Sequence, residues 1–269
     1  MNVRLQKLVI SAVATTLLSS LTGCANYKNP SSSYSLQRFA VPEIAGESWQ
    51  SEINVGGAKT HKVVLPAQNN QKPVFTCNKS TKCDVGEPVF VLAGLSVIPG
   101  LAFYINGRQN RVSATWQYAG DYAGQASTGN FSQALVLGYS KQKDNAYYGD
   151  ATFIGDPNET LQWDQATSAT DFGWVGGYRL SSKWLVYGGP FVILHDIDLS
   201  SNYTDAGDLG QIKNPDRSFK GKQIGANAAV QYQLFRHMNV SLELVRAKYR
   251  IEDVNKTNTQ VNLMMGFHF

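Results

Sequence analysis

Apolar and polar residues alternate with period two over most of the second half of the chain. The clearest run sets Ile224, Ala226, Ala228, Val230, Tyr232 and Leu234 against Gln223, Gly225, Asn227, Ala229, Gln231 and Gln233. This is the pattern of a strand with one greasy face and one small or amide face. The same division recurs where Phe131, Leu135, Leu137 and Tyr139 face Ser132, Ala134, Val136 and Gly138, and where Phe172, Trp174, Tyr178 and Leu180 face Gly173, Val175, Gly177 and Arg179. Val112, Ala114, Trp116 and Tyr118 are offset against Arg111, Ser113, Thr115 and Gln117, and the last stretch sets Val261, Leu263, Met265, Phe267 and Phe269 against Gln260, Asn262, Met264, Gly266 and His268. Strands of roughly 9 to 11 residues with a greasy set for lipid and a small or polar set for a lumen are those of a transmembrane barrel. After Glu243 the alternation changes: Val245, Ala247, Tyr249 and Ile251 become the apolar set, and a bulge near Leu244 and Val245 is expected.

Two hairpins carry short polar turns, Ser181-Ser182-Lys183 after Gly177-Tyr178-Arg179-Leu180, and Phe235-Arg236-His237-Met238 after Gln231-Tyr232-Gln233-Leu234. The opposite connections read as long loops rich in Asp, Asn, Gly and Thr, about 141–170 and 196–221. The turn hairpin at 177–180 and an aromatic last strand ending on Phe269 resemble those of small OmpA-type and opacity-type outer-membrane barrels. The resemblance covers about 131–269. It implies that Phe267 and Phe269 form a C-terminal signal to the barrel-assembly machinery. Such barrels usually carry an ordinary cleaved leader, and here no attached peptidoglycan-binding domain is visible.

The uncharged stretch 88–107, the most apolar of the mature chain, is long enough for a spanning helix. Gly94, Pro99 and Gly100 interrupt it, and β-branched and aromatic residues dominate, so a hairpin turning near Val97 to Gly100, or one long bent strand, is expected. The fold expected is all-β, an antiparallel transmembrane barrel of 8 to 10 strands over 49–269, with short periplasmic turns and long outer loops. An even count keeps a periplasmic lipid anchor and the C-terminus on one side. A soluble β-domain is the rival architecture, though its second face would need a cover that Gly, Ser, Asn and Gln do not require.

The beginning of the chain changes the compartment. Arg4 and Lys7 precede an uncharged run to Leu21, a secretory leader over 1–23. Leu21-Thr22-Gly23-Cys24 resembles the lipobox of bacterial lipoproteins, which implies lipid attachment at Cys24 and, with Ala25 following, export to the outer membrane. Residues 24–48 then read as a lipidated N-terminus and flexible tether. Lipidation leaves Cys77 and Cys83, which an oxidising compartment would let pair; closing so small a loop is worth about 2 kcal/mol.

Composition removes several classes of function. Only 16% of the 269 residues are charged, and 11% are aromatic, which excludes a coiled coil. Losing the leader takes the formal charge from +4 to +2, and no basic cluster suits nucleic acid. No Walker loop, dinucleotide fingerprint or metal-ligand cluster is present, so no cofactor is expected beyond the lipid on Cys24. His195, Asp196 and Asp198, with Ser200 and Ser201 beyond, would lie at an outer rim and form the one candidate hydrolytic group; a polar strand top explains them as well. Arg111, Arg179 and Glu243 fall on the lumen face, where Arg179 and Glu243 would pair as a plug or line a narrow wet path. Arg246, Lys248 and Arg250 could meet lipopolysaccharide phosphates or simply be solvated. The expected role is non-enzymatic, a surface or envelope protein whose loops contact host, phage, an envelope protein or lipopolysaccharide. A narrow channel and a rim enzyme acting on lipid A or peptides are the alternatives. Expected partners are outer-membrane lipids and the barrel-assembly and lipoprotein-sorting machineries, with no nucleic acid.

Overall fold

Ten antiparallel strands pair in sequence order and the last closes on the first. They are β1 (Ser51–Gly57), β2 (Val89–Ile98), β3 (Leu101–Asn106), β4 (Arg111–Ala119), β5 (Phe131–Gly149), β6 (Thr160–Arg179), β7 (Trp184–Thr204), β8 (Arg217–Phe235), β9 (Met238–Ile251) and β10 (Val254–His268). The structure, a computed structural model, describes residues 31–35, 38–58, 60–64, 74–75, 89–107, 110–149, 160–204, 211–213 and 216–269. Cys24, Cys77 and Cys83 lie outside the described residues, as does the leader. Ser31–Ser35, Thr60–Val64 and Val74–Phe75 form a small sheet with no ladder to the barrel strands, and Gln211–Lys213 extends the edge of β7.

Within the stretch 88–107, residues 89–106 form a hairpin. β2 and β3 turn at Pro99-Gly100, where Gly100 takes a φ of 78° that a side chain would strain. Closure comes from β10 against β1, pairing Leu263–His268 with Gly57–Glu52, and Phe269 N–H donates to the Ser51 carbonyl at 2.8 Å. This seam is far shorter than the β6–β7 ladder, which runs from Leu185 and Arg179 out to Thr204 and Thr160.

The outward faces are the ones the alternation marks. Trp116, Phe131, Leu137, Phe172, Tyr178, Ile224, Leu244, Val261 and Leu263 are all exposed on the barrel exterior. Aromatic side chains gather at the short-turn end, where Trp174 Nε1 donates to Tyr118 Oη at 2.8 Å and Trp184 lies 4.5 Å from Tyr232 between ring centroids. Rings with a polar edge at the end of an apolar belt suit a lipid–water boundary.

Three expectations differ from the structure. The loops read at 141–170 and 196–221 are largely ladder: β5 and β6 stay paired to Gly149 and Thr160, and β7 and β8 stay paired to Leu199 and Arg217. Backbone pairing there continues after the greasy face ends, so side-chain pattern alone could not show it. The connections do not divide cleanly by length either. The two-residue turn Glu252-Asp253 is at the long-loop end, with Glu252 at φ 48°, and 120–130 is a longer connection at the short-turn end. The bulge expected near Leu244 is absent, because β9 keeps unbroken register with both neighbours from Ile251 to Asn239.

What changes at Leu244 is polarity. Below it the barrel is apolar outside; above it Val245, Ala247, Tyr249 and Ile251 point inward and pack with Phe191, Ile197, Leu199 and Phe219 in a buried core. The outward positions there are Asp196, Asp198, Lys220, Lys222, Arg246, Lys248 and Arg250. A membrane barrel below and a water-facing barrel above share one set of strands. The inversion marks where the lipid stops.

Candidate functional site

The lumen contains the chain's own N-terminal segment. Residues 31–35 pair antiparallel with 60–64 beyond the far end of β1, so the chain descends from the long-loop end. Arg38 and Phe39 are buried inside the wall, Ile44 and Ala45 reach the short-turn end, and the chain then reverses into β1. The last part of the expected tether, 38–48, is therefore a plug and the turn that follows it. Its backbone donors find wall acceptors in place of a strand partner. Arg38 N–H and Phe39 N–H donate to the two carboxylate oxygens of Glu243 at 3.0 and 2.9 Å, and Ile44 N–H donates to Gln117 Oε1 at 2.7 Å. Gln117 is held in turn by its own Nε2, which donates to the Asp121 carbonyl at 2.9 Å.

Arg111, Arg179 and Glu243 all sit on the inner face, with different partners from those the sequence suggests. Glu243 is fully buried and also accepts from Asn227 Nδ2 at 2.7 Å and Asn262 Nδ2 at 3.0 Å. Arg179 instead grips Glu43 of the plug through Nε, at 3.2 and 3.1 Å, and through Nη2. Asn130 Nδ2 adds a bond to the same carboxylate at 3.1 Å. Arg111 pairs with Asp171, which also accepts from Arg38 Nη1 at 2.6 Å. The Arg38 guanidinium lies 4.4 Å over the Phe191 ring. Wall charges Arg111, Asp171, Arg179 and Glu243 and plug charges Arg38 and Glu43 thus sum to zero, as buried ions require. Asp171, Glu43, Arg38 and Gln117 were not singled out as site residues in the sequence; the signal available was an inward acid on β6 and an inward arginine on β4, on either side of β5.

Two wall glycines make room for this segment. A Cβ on Gly173 would stand 2.9 Å from Arg38 Nη2, and one on Gly177 would stand 2.5 Å from Pro42 Cγ. Gly177→Leu should therefore destabilise the barrel by about 1–3 kcal/mol through overpacking. Gly57→Leu, on an outward position with open space around it, should not. The temperature at which the folded band converts on SDS gels compares them, and equal midpoints would show that the lumen does not hold residues 38–46. Below the plug a cavity of about 530 Å³, bordered by Glu43, Glu47, Glu52, Lys183, Arg236 and His237, opens toward the short-turn end.

His195 does not join its neighbours. It is buried on the inner face, edge-on to Tyr249 with ring centroids 5.2 Å apart, whereas Asp196 and Asp198 point outward on the other side of the same strand. An inward imidazole and outward carboxylates cannot share one substrate.

The outer wall supplies the second feature. Lys222 stands opposite Arg250 across β8 and β9, with Lys248 and Arg246 on the same outward face, opposite Ile224 and Ala226. These cations begin where the apolar belt ends. No protein-family model and no curated protein matches this chain. Among solved structures it is similar to Ail, the attachment invasion locus protein of Yersinia pestis, with 10% identity and a TM-score of 0.34 over 83% of this chain and all of that one. The same protein in complex with the heparin analogue sucrose octasulfate gives 11% and 0.34, over 82% and 99%.

Proposed function

We propose that this chain is a lipid-anchored barrel of the bacterial outer membrane that acts without enzymatic chemistry, by presenting a tall, water-facing wall to molecules outside the cell. The polarity inversion carries this reading. It lifts the upper part of β5 to β10 clear of the bilayer and leaves a row of cations, Lys222, Arg246, Lys248 and Arg250, at the boundary. Charges at that height meet the phosphates of lipopolysaccharide, and charge-assisted bonds to phosphate are among the stronger polar contacts. The connections from Val64 to Val89, from Gly149 to Thr160 and from Thr204 to Arg217 leave from the same end, and contact with a host, phage or envelope partner is assigned to that end. A plug tied down by Glu243, Arg179 and Gln117 speaks for a closed barrel over a channel, and the division of His195 from Asp196 and Asp198 speaks against a rim hydrolase.

The test is lipopolysaccharide carried through purification. Reversing the four cations to glutamate should lower the amount bound at least several-fold, while boiling still shifts gel mobility. Equal retention by a folded variant would sink the lipopolysaccharide contact. Lipid A mass spectra should be the same from cells with the intact gene, without it, and with His195→Ala; a difference that tracks His195 would restore the enzyme.

A further inference from the structure

The direction of the plug fixes where the chain begins. Ten strands alone would return the chain to the side on which it started, and the C-terminal Phe269 is at the short-turn end beside Ser51. The plug adds one more crossing. Ser35 pairs with Thr60 and Ser31 with Val64, so the chain rises toward the long-loop end as it is followed back from Arg38. Val64 itself lies seven residues beyond the end of β1, at the end that bears the long loops. His61, paired with Tyr34 in that ladder, has its Nε2 3.2 Å from the inward Gln260 Oε1 near the outer part of β10. The N-terminal end of the described chain and the C-terminus are on opposite faces of the barrel.

Only six residues lie between Cys24 and Ser31, seven Cα-to-Cα steps in all. Fully extended they reach about 25 Å, less than the roughly 30 Å hydrocarbon core, and Ser31 already starts outside it. No route back exists in any case. The lumen at mid-depth is filled by Arg38 to Pro42 against Glu243, Asp171 and Gly177, and an unpaired backbone does not cross lipid.

We propose that the chain ahead of Ser31 lies on the cell surface, and that the acyl chains on Cys24 enter the outer leaflet from outside. This rests on the orientation and lipid anchor put forward under the proposed function. It reverses the placement of a lipoprotein whose anchor holds it from the periplasm: here the barrel is tethered to the leaflet it shares with lipopolysaccharide, and the first residues of the mature protein belong to the exposed surface.

The experiment uses the full chain with one of two epitopes, between Lys28 and Asn29 or within 205–210, stained by antibody on intact and on permeabilised cells. Both epitopes should stain equally in the two conditions. If the loop epitope stains intact cells and the N-terminal one appears only after permeabilisation, the threaded path is overturned while the surface orientation stands. If neither stains intact cells, the orientation fails and the inference falls with it. Palmitate labelling decides the lipid separately: label lost in Cys24→Ala supports the anchor, and label retained overturns it whatever the epitopes show. A gel shift on boiling confirms that each tagged protein is folded.

Discussion

Starting the mature chain at Gly46 is expected to turn a silent barrel into a conducting one. In eight-stranded barrels side chains just fill the interior; with ten strands, β1 to β10 enclose a wider lumen that residues 38–45 occupy. Glycines on the inner face, Gly173 and Gly177, have no side chain with which to refill it. Removing the segment frees Arg179 and Glu243 to meet water, so their charges, no longer buried without partners, should not prevent folding. Planar-bilayer recording should show discrete steps from the truncated protein and none from the intact one at the same load. A truncated protein that still shifts on boiling yet stays silent would refute the plug.

The second large effect is on stability. Glu243→Ala removes the acceptor of four hydrogen bonds, two from the backbone of the plug and two from the Asn227 and Asn262 side chains, all in a fully buried place. Stranding buried donors costs about 1–3 kcal/mol each before relaxation; the four here are two backbone and two amide N–H donors, and turning of the two amide side chains offsets part of the sum. A loss of about 3–5 kcal/mol in urea unfolding from detergent is therefore expected. Glu243→Gln, which keeps one acceptor oxygen, should fall between the two. Arg38→Ala should act through Asp171, because the bond from residue 38 to Glu243 is made by its backbone. A Glu243→Ala protein within about 0.5 kcal/mol of the parent, the range of an ordinary surface change, would place Glu243 in water and unseat the segment it is said to hold.

Much of the barrel was legible because lipid imposes a period. Where β4, β5, β6, β8 and β10 face the bilayer, every second residue must be apolar, and the assignment of Phe172 outward and Gly173 inward follows directly. Pro99-Gly100 marked its turn for an equally local reason. The upper wall was harder. A change of solvent outside the barrel and a one-residue slip of the strand both exchange the apolar set at Val245, and only the ladder through Lys248 and Tyr249 distinguishes them. The plug was hidden because residues 38–45 bond their backbone to side chains far away in sequence, which leaves no period along the segment itself. For that reason Arg179 and Glu243 looked like partners: both were visible as inward charges, while Glu43 and the backbone of Arg38 and Phe39, which satisfy them, carried no pattern.

The short ladder between β1 and β10 also sets an order of events. The segment inside the lumen is synthesised before every strand of the wall, and the strand that completes the wall, β10, is the last. A segment with a surface end cannot be drawn lengthwise through a finished cylinder whose bore is narrowed by Phe191, Arg111 and Asp171. The sheet has to curl around its own beginning while still open, and the pairing of Phe269 with Ser51 is the clasp that shuts on it.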